Sequence, residues 1–272
     1  MVTGGAIGST RRPVLLSPVE FGACWAALEL GDPPLLLELR SPGYTVGERD
    51  ELFRRALAGL RERGLGDGHR PAEPLASTLR LLAQPDYELD IRLGGGRRGM
   101  LLGLGAVAGA HGVVVISGDG PLRLLPMDGA RVAATLVGLA GELCPGLGRP
   151  VNIPADLLDE ARAAARDGKL WTLADELVGR GVSRLDAGSL ARMCDGVDIV
   201  GQLGATWRPG GQRRRAPWVV GFHRTAGGYF MQLRRPPAGR PDAGETVTVC
   251  PTDADRLIRQ WRELVEQLLL PA

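Results

Sequence analysis

Residues 87–93, Tyr-Glu-Leu-Asp-Ile-Arg-Leu, alternate apolar and polar side chains without a break. A β-strand sends successive side chains to opposite faces. This period of two therefore predicts an antiparallel strand with one face on a core and the other toward water. The residues that follow extend the pattern into a sheet. Met100–Ala108, Gly112–Ser117 and Pro121–Leu125 are apolar runs separated by glycine-containing turns. They read as three further strands of a meander.

Composition sets the outer limits. The 272 residues include 40 Gly and 20 Pro, and 44% belong to the hydrophobic set. Glycine and proline are over-represented but short of low complexity. The apolar content and a net charge of +2 exclude wholesale disorder. Charges of both signs are interspersed, which leaves no broad basic field for nucleic acid or an anionic membrane. Lys169 is the single lysine, a skew that reads as the coding bias of a GC-rich genome. Cys24, Cys144, Cys194 and Cys250 form no CxxC pair, and His69, His111 and His223 stand at no zinc-ligand spacing from them. Free thiols in a reducing cytosol are expected. Residues 1–13 read as a disordered tail without the apolar region of a signal peptide. Met100–Ala110, the longest apolar stretch, is too short for the ~20 residues of a membrane span. A soluble, cytoplasmic protein without membrane insertion is expected.

Helices precede the meander. Ser17-Pro18-Val19-Glu20 and Thr45-Val46-Gly47-Glu48 are capping boxes. They predict helices over Pro18–Leu30 and from Thr45 to Gly64, with a third near Pro74–Ala83. Leu35–Arg40 reads as a short strand between the first two. Asp128 is placed to cap a helix running to about Leu143. After the breaker-rich linker Cys144–Pro150, the programme repeats. Helices are expected near Ala155–Arg166, Leu170–Val178 and Ala187–Cys194. Strands follow near Asp198–Thr206, Arg214–Phe222, Gly228–Arg234 and Thr246–Cys250, and a final helix spans Asp253–Leu270. Pro126 and Pro251, Asp128 and Asp253, Arg131 and Arg256, and Val132 and Leu257 stand 125 residues apart. Pro-x-Asp is a common helix start, so coincidence is the alternative. The shared order of elements favours an internal repeat. The expectation is an α+β fold with a central antiparallel β-sheet, flanking helices and a pseudo-twofold internal repeat. Residues 14–147 and 148–272 would be its N- and C-terminal subdomains.

Chemistry-bearing motifs are few. Gly94-Gly95-Gly96-Arg97-Arg98-Gly99 satisfies G-x-G-x-x-G, and Asp119 lies 20 residues beyond it. That imitates a dinucleotide fingerprint, which requires the glycines to open a helix after a buried parallel strand. Here the preceding strand alternates, and Gly103, Gly105 and Gly109 weaken any helix after it. A hairpin turn is the better reading. A nucleotide-binding enzyme using Gly94–Gly99 remains an alternative, as does a homo-oligomeric scaffold. Arg213-Arg214-Arg215, near Trp207 and Trp218, reads as a charged hairpin tip rather than a nucleic-acid patch. Ser41, Ser77, Ser117, Ser183 and Ser189 lack a nucleophile-elbow context, and no carboxylate pair stands out for acid/base work. No catalytic residue, metal site or cofactor is expected, and the balance favours a binding protein.

The whole pattern resembles a known family. Val14–Phe21 through Trp25, Leu30-Gly31-Asp32-Pro33-Pro34, Ser41–Thr45 and Glu48-Arg49 are similar to the opening of the EspG family of ESX (type VII) secretion chaperones. Leu65-Gly66, Leu79–Leu82, Glu88–Arg92, Gly148–Pro154 and Gly210–Pro217 continue the likeness over nearly the whole chain. The resemblance implies a cytosolic, non-enzymatic chaperone. It would bind the helical tip of the PPE subunit of a PE–PPE-type heterodimer, shield its apolar residues and hold it soluble until secretion. A monomer or weak homodimer is expected. The family fixes few interface residues, so candidates come from the expected sheet face and hairpins. They are Arg97 and Arg98 in the first half, and Trp207, Arg214, Trp218, Phe222, Tyr229 and Met231 in the second. Strand-borne aromatic and methionine side chains suit an apolar helix tip, and they suit a core equally well.

Overall fold

A computed structural model describes residues 13–37, 39, 42–95, 99–165, 170–208, 212–235 and 244–269. The expected tail therefore lies outside the described residues, apart from Pro13. Two compact units interleave along the chain. One comprises Met1–Glu88, Leu102–Thr135 and Arg208–Gly211; the other comprises Leu89–Leu101, Leu136–Trp207 and Gln212–Ala272.

The first unit starts with a strand that the sequence did not suggest. β1 (Val14–Leu16) pairs antiparallel with β5 (Leu122–Asp128). Three residues are too few to show a period, and their pairing partners lie more than 100 residues away. α1 (Pro18–Ala27) follows on the expected box: the Ser17 amide donates to Glu20 Oε2 at 2.7 Å, and the Glu20 amide donates to Ser17 Oγ at 3.2 Å. Both boxes form, the second opening α2 (Val46–Glu62) with Thr45 and Glu48. α3 (Glu73–Ala83), β3 (Leu101–Ala108) and β4 (His111–Ser117) complete the unit, with strand order β1-β5-β4-β3. Phe21 stacks on Trp25 at 5.3 Å and joins Leu60, Leu79, Leu104 and Leu124 in one core. Leu35–Leu37 is a 3-10 turn and not the expected strand. Pro33 and Pro34 fix the approach. The Leu37 amide then donates to the Pro34 carbonyl at 3.1 Å, and Leu36 and Leu37 turn into the core.

The second unit is built from β2 (Tyr87–Gly95, from Leu89 on), β6 (Val151–Pro154), α5 (Ala155–Ala164), α6 (Leu170–Gly179) and α7 (Arg184–Met193). It continues with β7 (Ile199–Trp207), β8 (Arg214–Arg215), β9 (Val220–Thr225), β10 (Gly228–Arg235), β11 (Thr246–Pro251) and α8 (Ala254–Leu269). The strand order is β2-β7-β9-β10-β11-β6, with β8 on β7. The expected strand Arg214–Phe222 breaks into β8 and β9. Pro217 lies between them and has no amide to donate to a ladder. The expected helix from Asp128 to Leu143 is shortened to α4 (Val132–Val137), with 3-10 turns at Gly129–Arg131 and Gly138–Ala140. Gly138 and Gly141 weaken its continuation. On α8, Leu257, Trp261, Leu264 and Leu268 are buried at helical spacing, and Trp261 Nε1 donates to the Gly204 carbonyl at 2.9 Å. The overall class is α+β, with large antiparallel sheet structure and flanking helices.

Two glycine-to-alanine changes should act in opposite directions. A Cβ on Gly146 would lie 2.1 Å from the buried Phe230 ring, so Gly146→Ala should destabilise by about 1–3 kcal/mol. Gly59, inside α2, has nothing within 4 Å of such an atom, so Gly59→Ala should stabilise by about 0.5–1 kcal/mol. Urea unfolding of the two variants checks both signs.

Candidate functional site

Two of the three charged residues of β2 do not face water, and Arg92 alone of them is exposed. Glu88 and Asp90 are buried, although their alternation predicts a solvated face. The correction has a physical reason: each carboxylate is met by an arginine from the segment after β7. Arg208 Nη2 lies 2.9 Å from Glu88 Oε1. Arg215 grips Asp90 with both terminal nitrogens, Nη2 to Oδ1 at 2.9 Å and Nη1 to Oδ2 at 2.5 Å. Arg215 Nη1 also donates to Thr206 Oγ1 at 3.3 Å. A two-pronged guanidinium–carboxylate pair is strong and directional. It needs a flat path, and Gly204 provides one: a Cβ there would sit 2.2 Å from Arg215 Nη2 and 2.9 Å from Asp90 Oδ2.

On the same face, two residues further along each strand, the sheet opens. Alternation puts Asp90, Arg92 and Gly94 on one side of β2, and Thr206, Gly204, Gln202 and Val200 on one side of β7. Arg92, Gly94, Val200 and Gln202 line a concavity of roughly 470 Å³, together with Gly201, Gly221 and Met100. Gly94 on β2 and Gly221 on β9, opposite Gln202, keep its floor low. Met100 and Val200 stand 59% and 51% exposed beside it, and Val197 is also exposed. The polar rim includes Arg92, Arg162, Gln202 and Gln232. A depression of about 670 Å³ in the first unit, between α3 and the ends of β4 and β5, is larger. None of its lining residues is an exposed large apolar side chain, so it lacks the feature that calls for a partner.

His223 forms part of the lining and is buried. Its Nε2 lies 2.7 Å from the Met193 carbonyl, and its Nδ1 lies 3.1 Å from Gln232 Nε2. Those partners suit one neutral tautomer, with Nε2–H donating and Nδ1 accepting. Burial pushes its pKa below the ordinary histidine value; the Met193 bond opposes the shift, and the charge of Arg162 adds to it.

The candidate residues fall in different places. Arg97 and Arg98 lie outside the described residues. The Arg214 guanidinium sits 5.9 Å above the half-buried Trp207 ring and is itself exposed. Trp218 is half-buried over a small cavity beside Gln260 and Leu264 of α8. Phe222 is buried and lines the concavity from beneath; its ring would collide with any Cβ on Gly201. Tyr229 is buried, with its hydroxyl donating to the Ala140 carbonyl at 2.8 Å, and Met231 is buried opposite Phe222 on β10. Met100, Val200, Arg92 and Gln202 were missed by sequence reasoning. Their available signal was Val200 and Gln202 on one face of an alternating strand, with glycine between and after them.

The chemistry here is that of a surface. Gly94 and Gly95 end β2, and β3 begins at Leu101, so a strand follows the glycine-rich segment. The dinucleotide alternative required a helix there and is thereby overturned. Among the described residues, no group of three or more His, Cys, Asp or Glu side chains could hold a metal. No helix among them is long and apolar enough to cross a membrane. All four cysteines are free. Burial, with Glu20 nearby, pushes the Cys24 thiol up to about 12, and burial also raises Cys194 and Cys250.

Comparison with known proteins adds a lineage. The model of the EspG family matches residues 17–263. The comparison with curated proteins found no match. One solved structure that resembles the chain is that of the Mycobacterium tuberculosis type VII secretion system chaperone EspG5 in complex with the PE25–PPE41 dimer. The likeness has a TM-score of 0.72 at 16% identity, covering 93% of this chain and 96% of that one. At that identity it establishes the fold.

Two measurements follow from these environments. Because the folded-state pKa of His223 lies below the unfolded value near 6.5, the unfolded chain binds the proton more readily. Stability is then fully present above that value and is lost as pH falls toward the folded pKa, by at most about 1.4 kcal/mol per pH unit. Urea unfolding between pH 7.5 and 5.5 should show this loss in the wild type and a smaller one in His223→Gln; parallel curves would contradict it. An aromatic disulfide reagent should find one fast thiol, Cys144, which is exposed, with Cys24 reacting only on unfolding.

Proposed function

Because this chain belongs to the EspG family, we propose that it is a non-enzymatic, cytoplasmic chaperone of type VII (ESX) secretion. Its client is a PE–PPE-type heterodimer, held at the helical tip of the PPE subunit. The observation that carries this reading is the pair of exposed apolar side chains, Met100 and Val200, beside a glycine-floored concavity with a polar rim. An exposed helix tip must bury its apolar residues somewhere, at about 25 cal/mol for each Å² withdrawn from water. A concave sheet face supplies apolar contact, and Arg92, Gln202 and Gln232 supply partners for the tip's polar groups.

A stable interface needs roughly 800 Å² from each side, more than this concavity alone supplies. Arg97 and Arg98 are proposed as flanking contacts; Trp207 and Arg214, which stack on the opposite face of β7 and β8, and Trp218, beside α8, are proposed to support the sheet from that side. Phe222, Tyr229 and Met231 are proposed as the layer that supports the face from below. The chaperone works as a monomer or weak homodimer and needs no cofactor.

The internal repeat belongs to the same proposal, with residues 14–147 and 148–272 as its halves. Three parallels support it. β1 and β6 each precede a helix and pair with the last strand of the meander in their half, β5 and β11. Each meander pairs consecutive strands, β3-β4-β5 in one half and β9-β10-β11 in the other. Each ends on Pro-x-Asp, where Asp128 accepts the Ala130 amide and Asp253 accepts the Arg256 amide, both at 2.8 Å.

Co-expression with a PE–PPE-type pair should yield a 1:1 complex of chaperone and heterodimer on size exclusion, and more soluble client than without it. No complex and unchanged client solubility would end the reading. Within the complex, Val200→Asp should weaken binding by at least about 30-fold, with little change in melting temperature. Unchanged affinity would move the docking face elsewhere.

A further inference from the structure

The open strip of the sheet face stops where Arg215 lies across Gly204, two residues beyond Gln202 on β7. Given the docking reading above, we infer that the Asp90–Arg215 pair is the specificity-determining end wall of the strip. It limits how far a helix tip can reach and sets the charge that the tip meets there.

The argument rests on geometry and charge balance. Asp90, Arg92 and Gly94 share one face of β2, and the last two line the concavity. The Asp90 side chain is 5% exposed and the Arg215 side chain 42% exposed, so the guanidinium is the lid and the carboxylate lies beneath it. β8 holds the lid in place: Arg215 stands opposite Thr206, and Arg214 stands opposite Trp207. Alternation then sends Arg215 to the docking face and Arg214 to the other, where it lies over the Trp207 ring. As a pair the two charges cancel at the wall. Removing the lid leaves a carboxylate facing the strip, and removing the carboxylate leaves a cation. Specificity of this kind penalises a wrong charge as much as it rewards the right contact.

The test uses full-length chaperone and the PE–PPE-type heterodimer that co-purifies with it. One apolar tip residue of that heterodimer is replaced by lysine or by aspartate. Affinities for both tips are measured calorimetrically, and their ratio in the wild type is the reference. Arg215→Gln should shift the ratio about tenfold toward the lysine tip, and Asp90→Asn about tenfold toward the aspartate tip. Arg215→Lys keeps the charge but loses the two-pronged grip, so it should shift the ratio toward lysine by about two- to threefold; it also serves if Arg215→Gln folds poorly. Equal weakening of all tips by every variant would mean that the pair only holds the fold together, and the inference would be overturned. A wild-type chaperone that binds no heterodimer at all would sink the docking reading itself.

Discussion

A carboxylate on a sheet strand cannot stay buried unpaired, and the second unit is arranged around that constraint at Asp90. Asp90 takes a guanidinium that must cross β7 to reach it. The crossing requires glycine at position 204, and it requires the segment after β7 to return as β8 beside Thr206 and Trp207. Removing one partner of a fully buried pair costs about 3–5 kcal/mol; here the cost falls below that, because Arg215 is 42% exposed and water compensates part of the charge left behind. The same crossing covers one end of the sheet face and leaves the other end, at Gly94 and Val200, open. A structural necessity thereby sets one boundary of the proposed site.

Glycine serves two purposes in this fold. At Gly31, Gly64 and Gly109 it takes positive φ in turns and helix stops, as a meander of short elements demands. At Gly94 and Gly204 it removes side chains from the face that carries Val200 and Arg215, and at Gly201 from the opposite face, where the Phe222 ring lies. The first purpose is visible as punctuation between apolar runs. The second is not, because a glycine inside a strand looks like a weakness until the Phe222 ring and the Arg215 guanidinium are seen lying over it.

Local signals were legible wherever the cause was local. Ser17–Glu20 and Thr45–Glu48 each hold both bonds of a capping box within four residues, and both helices begin where those residues stand. The face of α8 follows from Leu257, Trp261, Leu264 and Leu268 alone. Failures occurred where the cause was remote. β1 and β6 exist because β5 and β11 pair with them, and three or four residues carry no period of their own. The alternation of β2 revealed which residues share a face but not that an arginine 125 residues away would cover it. The run Arg213-Arg214-Arg215 looked uniform, yet strand alternation splits it between an internal ion pair and an exposed stack. Of the proposed docking face, Phe222, Tyr229 and Met231 beneath it stand out in the sequence as strand-borne aromatic and methionine side chains, whereas Val200 carries no signal beyond its place on an alternating strand.

The functional account depends on Met100 and Val200 being exposed in the free chaperone and covered in the complex. Methionine oxidation measures this directly, because a thioether reacts in proportion to its exposure. Brief peroxide treatment, read out by peptide mass spectrometry, should oxidise Met100 readily in the free protein. In a stoichiometric complex with a PE–PPE-type heterodimer its rate should fall about tenfold or more, while buried Met231 stays slow in both states. Oxidation of Met100 at the same rate in both states would contradict the account.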